Sequence, residues 1–307
     1  MQFVKMHGAG NDFVLVDLLA DRNVIEDAEW AERARAMCDR HFGIGADGLL
    51  LVVPSERADV RMRMFNPDGS ESASCGNGVR CLGRYVYDRY GLGSPDLLVE
   101  TGAGLTTIMM RDDGAVTVNM GQPILAPAAI PVAVEGPDAM NVALDVGGQH
   151  LVLSCASMGN PHAVNFVGPA VFEEFELERI GPLVEHAPLF PERTNFEICQ
   201  VVTPEHLRIR VWERGAGITL ACGTGACATA VVAERRGLGR FPMRIDLPGG
   251  SLSIDRAPDG TILMTGPTAY VFAGTWSLGV RGRSATPPPS LLPVHSPGNT
   301  REAVSVS

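Results

Sequence analysis

The sequence predicts an α+β fold of two similar mixed α/β domains, each built around a central helix. Three observations predict it. Segment 61–90, RMRMFNPDGSESASCGNGVRCLGRYVYDRY, returns in altered form at 208–236 as RIRVWERGAGITLACGTGACATAVVAERR. The likeness continues downstream in the same order. VETGAGLTTI at 99–108 parallels IDLPGGSLSI at 245–254, and DGAVTVNMGQP at 113–123 parallels DGTILMTGP at 259–267. Between the copies, residues 121–131 are rich in proline and alanine, as a domain boundary is. Two copies make a duplicated pair of domains, not a solenoid.

The elements follow in chain order. FVKMHG and FVLVD predict an opening strand pair within 3–17, and EDAEWAERARAM places apolar residues at helical spacing over 25–38. A strand follows at 48–53. Each repeated segment starts with alternating polar and apolar residues and passes a polar, glycine-bearing turn. It then reaches Cys-Gly-x-Gly and enters a helix of about four turns. Residues 97–110 and 115–119 read as a hairpin after the first helix, and strands are expected at 150–155, 162–167, 197–202 and 207–212. The domains are therefore expected at 1–120, with a returning strand at 266–274, and at 121–265. Residues 275–307, rich in proline and serine, have the composition of a disordered tail.

Composition excludes several classes of function. A chain of 307 residues that is 45% hydrophobic has enough apolar surface for a real core. A net charge of -10 leaves no broad basic surface for nucleic acid. No run of eighteen apolar residues suggests a membrane span, and MQFVKMHGAG lacks the apolar core of a secretory signal, so a cytoplasmic location is expected. The seven cysteines, an odd number, then predict free thiols rather than a disulfide framework. Without paired CxxC or HExxH motifs, no metal site is expected.

The repeated cysteines, Cys75 and Cys222, carry the chemistry. Each stands before Gly-x-Gly at a helix start, where glycines leave backbone N–H groups unobstructed and the helix favours negative charge. Two such sites, one per domain, can face each other across a cleft, flank one small ligand with thiols and hold its carboxylate on both helix ends. That arrangement suits inversion of an α-carbon. One thiolate removes a proton from one face while one thiol delivers a proton to the other, and their states swap at each turnover. Because the α-proton of an amino acid is weakly acidic, the donors must stabilise the enolate-like carboxylate; preorganised donors are worth about 3–4 kcal/mol apiece. Cys81 and Cys227 fall inside the helices and read as small buried apolar residues. The repeat is unequal at its rim, where Asn66 aligns with Glu213 and Pro67 with Arg214. Arg214 could clamp a second carboxylate and Glu213 receive an ammonium, although either alone could be a surface charge. Asn11, Asn160 and Asn195 sit in glycine- or proline-bearing turns, where each could act simply as a turn former.

At these residues the chain resembles the diaminopimelate epimerase family over roughly 1–274. The resemblance rests on MHGAGNDF at 6–13, FNPDGSESASCGNG at 65–78, SMGNPHAV at 157–164, ERTN at 192–195 and ERGAGITLACGTGACA at 213–228. It implies interconversion of LL- and meso-2,6-diaminopimelate without pyridoxal phosphate or metal, by two domains related by a pseudo-twofold axis, commonly as a homodimer. It also implies that Cys75 and Cys222 are the catalytic thiols. Gly76, Asn77, Gly223 and Thr224 would hold the reacting carboxylate by their backbone, and Asn66, Asn160, Asn195, Glu213 and Arg214 would recognise the distal centre. Asn11 would contact substrate, and His162 would lie near the thiols.

This chain departs from the family's commoner pattern at Gly48, where many members carry glutamine, at Ile218, where GAGET is commoner than GAGIT, and at Ser74. Three other readings stand beside an epimerase of diaminopimelate. One is a cysteine-pair racemase for proline, hydroxyproline or histidine. The second is a thiol hydrolase or transferase with one cysteine as nucleophile and His162 as base, which leaves the second cysteine unexplained. The third is an amino-acid-binding protein, which needs the cleft but not both thiols.

Overall fold

In the computed structural model, residues 1–19, 27–73, 75–92 and 96–277 are described. The first half contains β1 (Gln2–Gly8), β2 (Asn11–Asp17), α1 (Asp27–Cys38), β3 (Gly48–Val53), β4 (Val60–Phe65) and β5 (Glu71–Ser72). It continues with α2 (Gly76–Tyr90), β6 (Asp96–Thr101), β7 (Gly104–Met110) and β8 (Val116–Asn119). After a 3-10 turn at Pro127–Ala129 come β9 (Val142–Val146), β10 (Gln149–Ser157), β11 (Pro161–Phe166), α3 (Pro169–Glu174) and α4 (Leu177–Glu185). Then follow β12 (Asn195–Thr203), β13 (His206–Glu213), β14 (Gly217–Thr219), α5 (Gly223–Arg235), β15 (Met243–Leu247), β16 (Gly250–Arg256), β17 (Ile262–Gly266) and β18 (Ala269–Thr275).

The strand pairing repeats as the sequence does. β1–β2 is antiparallel, β2–β3 parallel, β3–β4 antiparallel and β4–β6 parallel. The second half reproduces each step, as β10–β11, β11–β12, β12–β13 and β13–β15. The halves are joined edge to edge by the antiparallel pair β8–β17, with Thr117 and Thr265 hydroxyls 2.7 Å apart across it. β18 pairs antiparallel with β1 and β9 with β10, so the return to the first strand also has a counterpart. This is the α+β duplicated fold that the repeat predicts.

Alternation explains which faces are buried. In β4, Val60, Met62 and Met64 point inward while Arg61 and Arg63 do not, and β13 repeats this with Leu207, Ile209 and Val211 against Arg208 and Arg210. The helices α2 and α5 enter one shared core, where Leu82 and Val86 of the first and Ala226, Ala230 and Val231 of the second are buried. Cutting Leu82 to alanine there is worth about 2–5 kcal/mol, the usual range for a buried leucine. The outer faces are closed by α1, through Trp30, Ala34 and Met37, and by α3 and α4, through Phe172, Ile180 and Val184.

Three features differ from the sequence reading. Residues 97–110, expected to form one hairpin with 115–119, are themselves two antiparallel strands, β6 and β7, turned at Gly102 and Ala103 before β8. The helices α3 and α4 were not anticipated, because both are short and α4 carries Pro182 in its interior, a position that ordinarily argues against a helix; Pro169 stands at the first position of α3, where proline is compatible with one. Thr275, assigned to the tail by composition, instead ends β18, and Trp276 N–H donates to the Met1 carbonyl at 2.7 Å. Trp276 packs partly buried on the α1 core, which explains why composition alone misplaced this end. The rest of the expected tail, 278–307, lies outside the described residues, as does Ser74.

Candidate active site

Cys75 and Cys222 occupy the same structural position. Each is the N-cap of its helix in extended conformation, with φ -150° and ψ 110° at Cys75 and φ -115° and ψ 109° at Cys222. Each sulfur accepts a hydrogen bond from the third residue of its helix, Gly78 N–H or Gly225 N–H, at 3.4 Å. A thiol therefore takes the place that serine or aspartate usually fills, and the first-turn N–H groups of Gly76, Asn77, Gly223 and Thr224 are those a helix leaves without intrahelical partners.

The two helix starts meet. Asn77 Nδ2 donates at 3.1 Å to the carbonyl of Ala221, the residue before Cys222. A Cβ on Gly76 would lie 2.9 Å from Met264 Cε, and one on Gly223 2.9 Å from Met264 Sδ, so both starts rest on one methionine. Between the halves lies a cleft of about 770 Å³ whose wall includes both cysteines with Asn11, Asn160, Glu213 and Arg214. Asn11 Oδ1 takes hydrogen bonds from Asn77 Nδ2 at 3.2 Å and from Cys75 Sγ at 3.9 Å, while its Nδ2 is anchored on Asp47 at 2.7 Å.

The environments of the thiols are unequal. Burial pushes the Cys75 thiol up to about 11, the Gly78 N–H pulls it down, and the Glu213 carboxylate pushes it up again. Cys222 is pushed well above the usual thiol range, first by burial and then by Glu213 and Glu197. Glu213 itself is raised by burial, against hydrogen bonds from Thr219 and Cys222 that favour its charged form.

The other expected site residues are divided. Glu213, expected to face a distal ammonium, has its carboxylate against Cys222. Arg214 lines the cleft and donates to the Glu192 carbonyl at 2.9 Å. Asn195 lies behind it, accepting from Arg214 N–H at 2.9 Å and donating to the Pro161 carbonyl at 2.8 Å, and so shapes the loop rather than lining the cleft. Asn66 holds its own turn through Ser70 at 3.0 Å and does not line the cleft either. His162 is fully buried, with Nδ1 2.7 Å from Glu197 Oε1 and Nε2 3.1 Å from Asn160 Oδ1.

Glu197 was missed. Its carboxylate is fully buried with Oε2 unpartnered, and a Cβ on Gly225 would meet its Oε1 at 2.7 Å and Cys222 Sγ at 3.3 Å. The available signal was a glutamate within the run NFEIC, every residue of which is buried. The departures at Ile218 and Gly48 both lie on strands of the sheet. Ile218 is 44% exposed on β14 opposite Trp212, and Gly48 is enclosed by Met64 and Phe65 in the sheet. Among the described residues no group of three or more His, Cys, Asp or Glu side chains is arranged to hold a metal, and no helix is long and apolar enough to cross a membrane.

The sequence profile of the family described as diaminopimelate epimerase matches residues 3–126 and 154–271. A diaminopimelate epimerase of Desulfitobacterium hafniense is 48% identical over 278 residues, covering 89% of this chain and 97% of the relative. One from Synechocystis is 46% identical over 278 residues, covering 89% and 98%. Among solved structures, a hydroxyproline epimerase from Agrobacterium vitis superposes with a TM-score of 0.64 at 16% identity, over 89% of this chain and 90% of that one. A PhzF-family phenazine biosynthesis protein from Bacillus anthracis does so with 0.62 at 18%, over 91% and 99%. At such identities these two speak for the fold alone.

Proposed function

The chain belongs to the diaminopimelate epimerase family and epimerises LL-2,6-diaminopimelate to the meso form, and we propose that Cys75 and Cys222 are its two acid–base groups. The observation that carries the assignment is the matched pair of N-cap thiols on one cleft. One thiolate takes the α-proton while the other thiol protonates the opposite face. The first-turn N–H groups at Gly76, Asn77, Gly223 and Thr224 hold the carboxylate on which negative charge develops. Thiols and helix ends together supply acid, base and charge stabilisation, so the reading needs neither pyridoxal phosphate nor metal. Asn11 and Asn160 contact the substrate from the cleft wall, and Arg214 takes the distal carboxylate. Asn66 and Asn195 act on the distal end through the loops they brace. Glu213, beside Cys222, is suited to the ammonium on the inverting carbon.

The test is incubation of the intact chain with LL-diaminopimelate in deuterated water. Meso product with one solvent deuterium at the inverted carbon is expected. Return of undeuterated LL-substrate alone would overturn the reading, and turnover of proline, hydroxyproline or histidine in its place would move the chain to another cysteine-pair racemase.

We read the working form as a cytoplasmic homodimer. Tyr270, Val271 and Phe272 on β18 are each about half exposed and make an apolar run on a strand at the molecular surface, which supports a second copy there. Light scattering should give the mass of two chains, falling to one when Phe272 is replaced by aspartate; a parent protein of single-chain mass would contradict the dimer.

A further inference from the structure

Duplication lets every charge around the thiols be set beside its counterpart in the other half. The pair Phe13↔Gly48 in β2–β3 corresponds to His162↔Asn195 in β11–β12, so Leu50 stands where the second half has Glu197. Packing agrees, since a Cβ on Gly78 would meet Leu50 Cδ2 at 3.0 Å and one on Gly225 would meet Glu197 Oε1 at 2.7 Å. Counted along the helices from the two cysteines, Arg80 corresponds to Cys227; along the strands, Asn66 corresponds to Glu213. At all three positions the Cys75 half is the more positive.

Of the three, Arg80 brings a full positive charge into the core. It is completely buried. Its Nη2 donates to Asn77 Oδ1 at 2.8 Å and its Nη1 reaches Met264 Sδ at 3.6 Å, but Nε has no partner and no carboxylate of the described residues pairs with it. A guanidinium stays charged in proteins, and burying such a charge unpaired is costly. The fold nevertheless makes room for it. A Cβ on Gly266 would lie 3.1 Å from its Cζ and Nε, and one on Gly8 3.1 Å from Nη2. The groups that feel its charge are the thiols of Cys81, Cys75 and Cys227, and of these only Cys75 opens on the cleft.

We propose that Arg80 is a positioning residue that polarises the thiol pair, its buried guanidinium, which no carboxylate of the described residues pairs with, making Cys75 the more readily deprotonated thiol while Glu213 and Glu197 keep the proton on Cys222. The same guanidinium fixes the Asn77 amide, whose Nδ2 then spans to Asn11 and Ala221 and locks the seam between the helix starts. The inference rests on the two-thiol reading above.

Its test needs no substrate. Iodoacetamide modification of the intact chain, resolved by peptide mapping over a range of pH, gives a titration midpoint for each thiol. Access scales such a profile, whereas burial and charge both move its midpoint, so the parent's difference between the two thiols is a condition of the proposal and the shift on removing the Arg80 charge is its test. Among the described residues, the charged or titratable groups acting on Cys75 include Arg80 and Cys81 from α2 and Glu213 from β13, with Cys222 on the same cleft. In the parent, the Cys75 midpoint should lie at least one unit below that of Cys222. Arg80→Gln should raise it by about one unit, a roughly tenfold slower modification at fixed pH, and lower kcat more than it changes KM. Arg80→Lys, which keeps the charge and loses the fork, should leave the midpoint close to the parent's. A Cys75 midpoint unmoved in folded Arg80→Gln overturns the proposal, and so does a parent in which Cys222 has the lower midpoint. Should Arg80→Gln fail to fold, Arg80→Met, which removes the charge and keeps a long stem beside Met264, makes the same comparison. Failure of the function itself appears separately, in the deuterium experiment on the parent.

Discussion

Cys222→Ala and Cys75→Ala proteins are each expected to lose epimerisation by a thousandfold or more, while keeping the fold. A positioned acid or base is worth about 10²- to 10⁴-fold, and inversion needs one on each face of the same carbon. Neither alanine can be replaced by a neighbour. Each sulfur is fixed at its helix start by one N–H hydrogen bond, and no other thiol of the chain lines the cleft. Serine at either position preserves the cap but should remain severely impaired, because an alcohol is a far weaker acid than a thiol. Cys81→Ala and Cys227→Ala are the controls. Both residues are fully buried in helix interiors, so their loss should cost about 1 kcal/mol of stability and little activity. Steady-state rates in both directions, with circular dichroism of each variant, make the comparison. Full epimerisation by Cys222→Ala would end the two-base mechanism.

The fold was legible in this sequence where a local pattern recurs. Alternation at Val60–Met64 and Leu207–Val211, and the two Cys-Gly-x-Gly helix starts, place the central elements because spacing alone decides which side chains can share a face. Legibility ended where a residue's role depends on what lies across from it. Glu197 and Arg80 read as a strand glutamate and a helix arginine, and only the sheet register and the Gly225 contacts bring Glu197 beside Cys222, as only the hydrogen bond to Asn77 brings the Arg80 side chain to the helix start. Glu213 shows the same limit. Its pairing with Asn66 suggested a rim position, yet the β13–β14 turn folds its carboxylate back toward Thr219 and Cys222. Shortness concealed α3 and α4, and in α4 the interior Pro182 as well, which is tolerated because the buried face at Ile180 and Val184 holds the helix in place, while α3 is held by Phe172.

Arg214→Ala is expected to lower kcat/KM for LL-diaminopimelate at least about a hundredfold, with both thiols still reactive toward iodoacetamide. Inversion itself requires only a carboxylate, an α-proton and an amine, so preference for diaminopimelate has to be expressed at the far end of the substrate. Arg214 is placed for it. Its backbone N–H is held by Asn195 Oδ1 at 2.9 Å, and its guanidinium spends one donor on the Glu192 carbonyl at 2.9 Å. It forms no ion pair with a carboxylate of the described residues, which leaves the fork for a carboxylate arriving in the cleft. Removing one partner of a desolvated charge pair leaves the other buried and unpaired, a loss of about 2–5 kcal/mol. Lysine should rescue poorly, since it restores the charge without the planar fork that meets two oxygens at once. Asn195→Ala, which frees the backbone at Arg214 without touching the guanidinium, should produce a smaller loss in the same direction. The measurement is kcat/KM for LL-diaminopimelate against L-lysine, which has the same reacting end and no distal carboxylate. If Arg214→Ala leaves that ratio unchanged, Arg214 is a rim charge and the distal carboxylate is recognised elsewhere on the cleft wall.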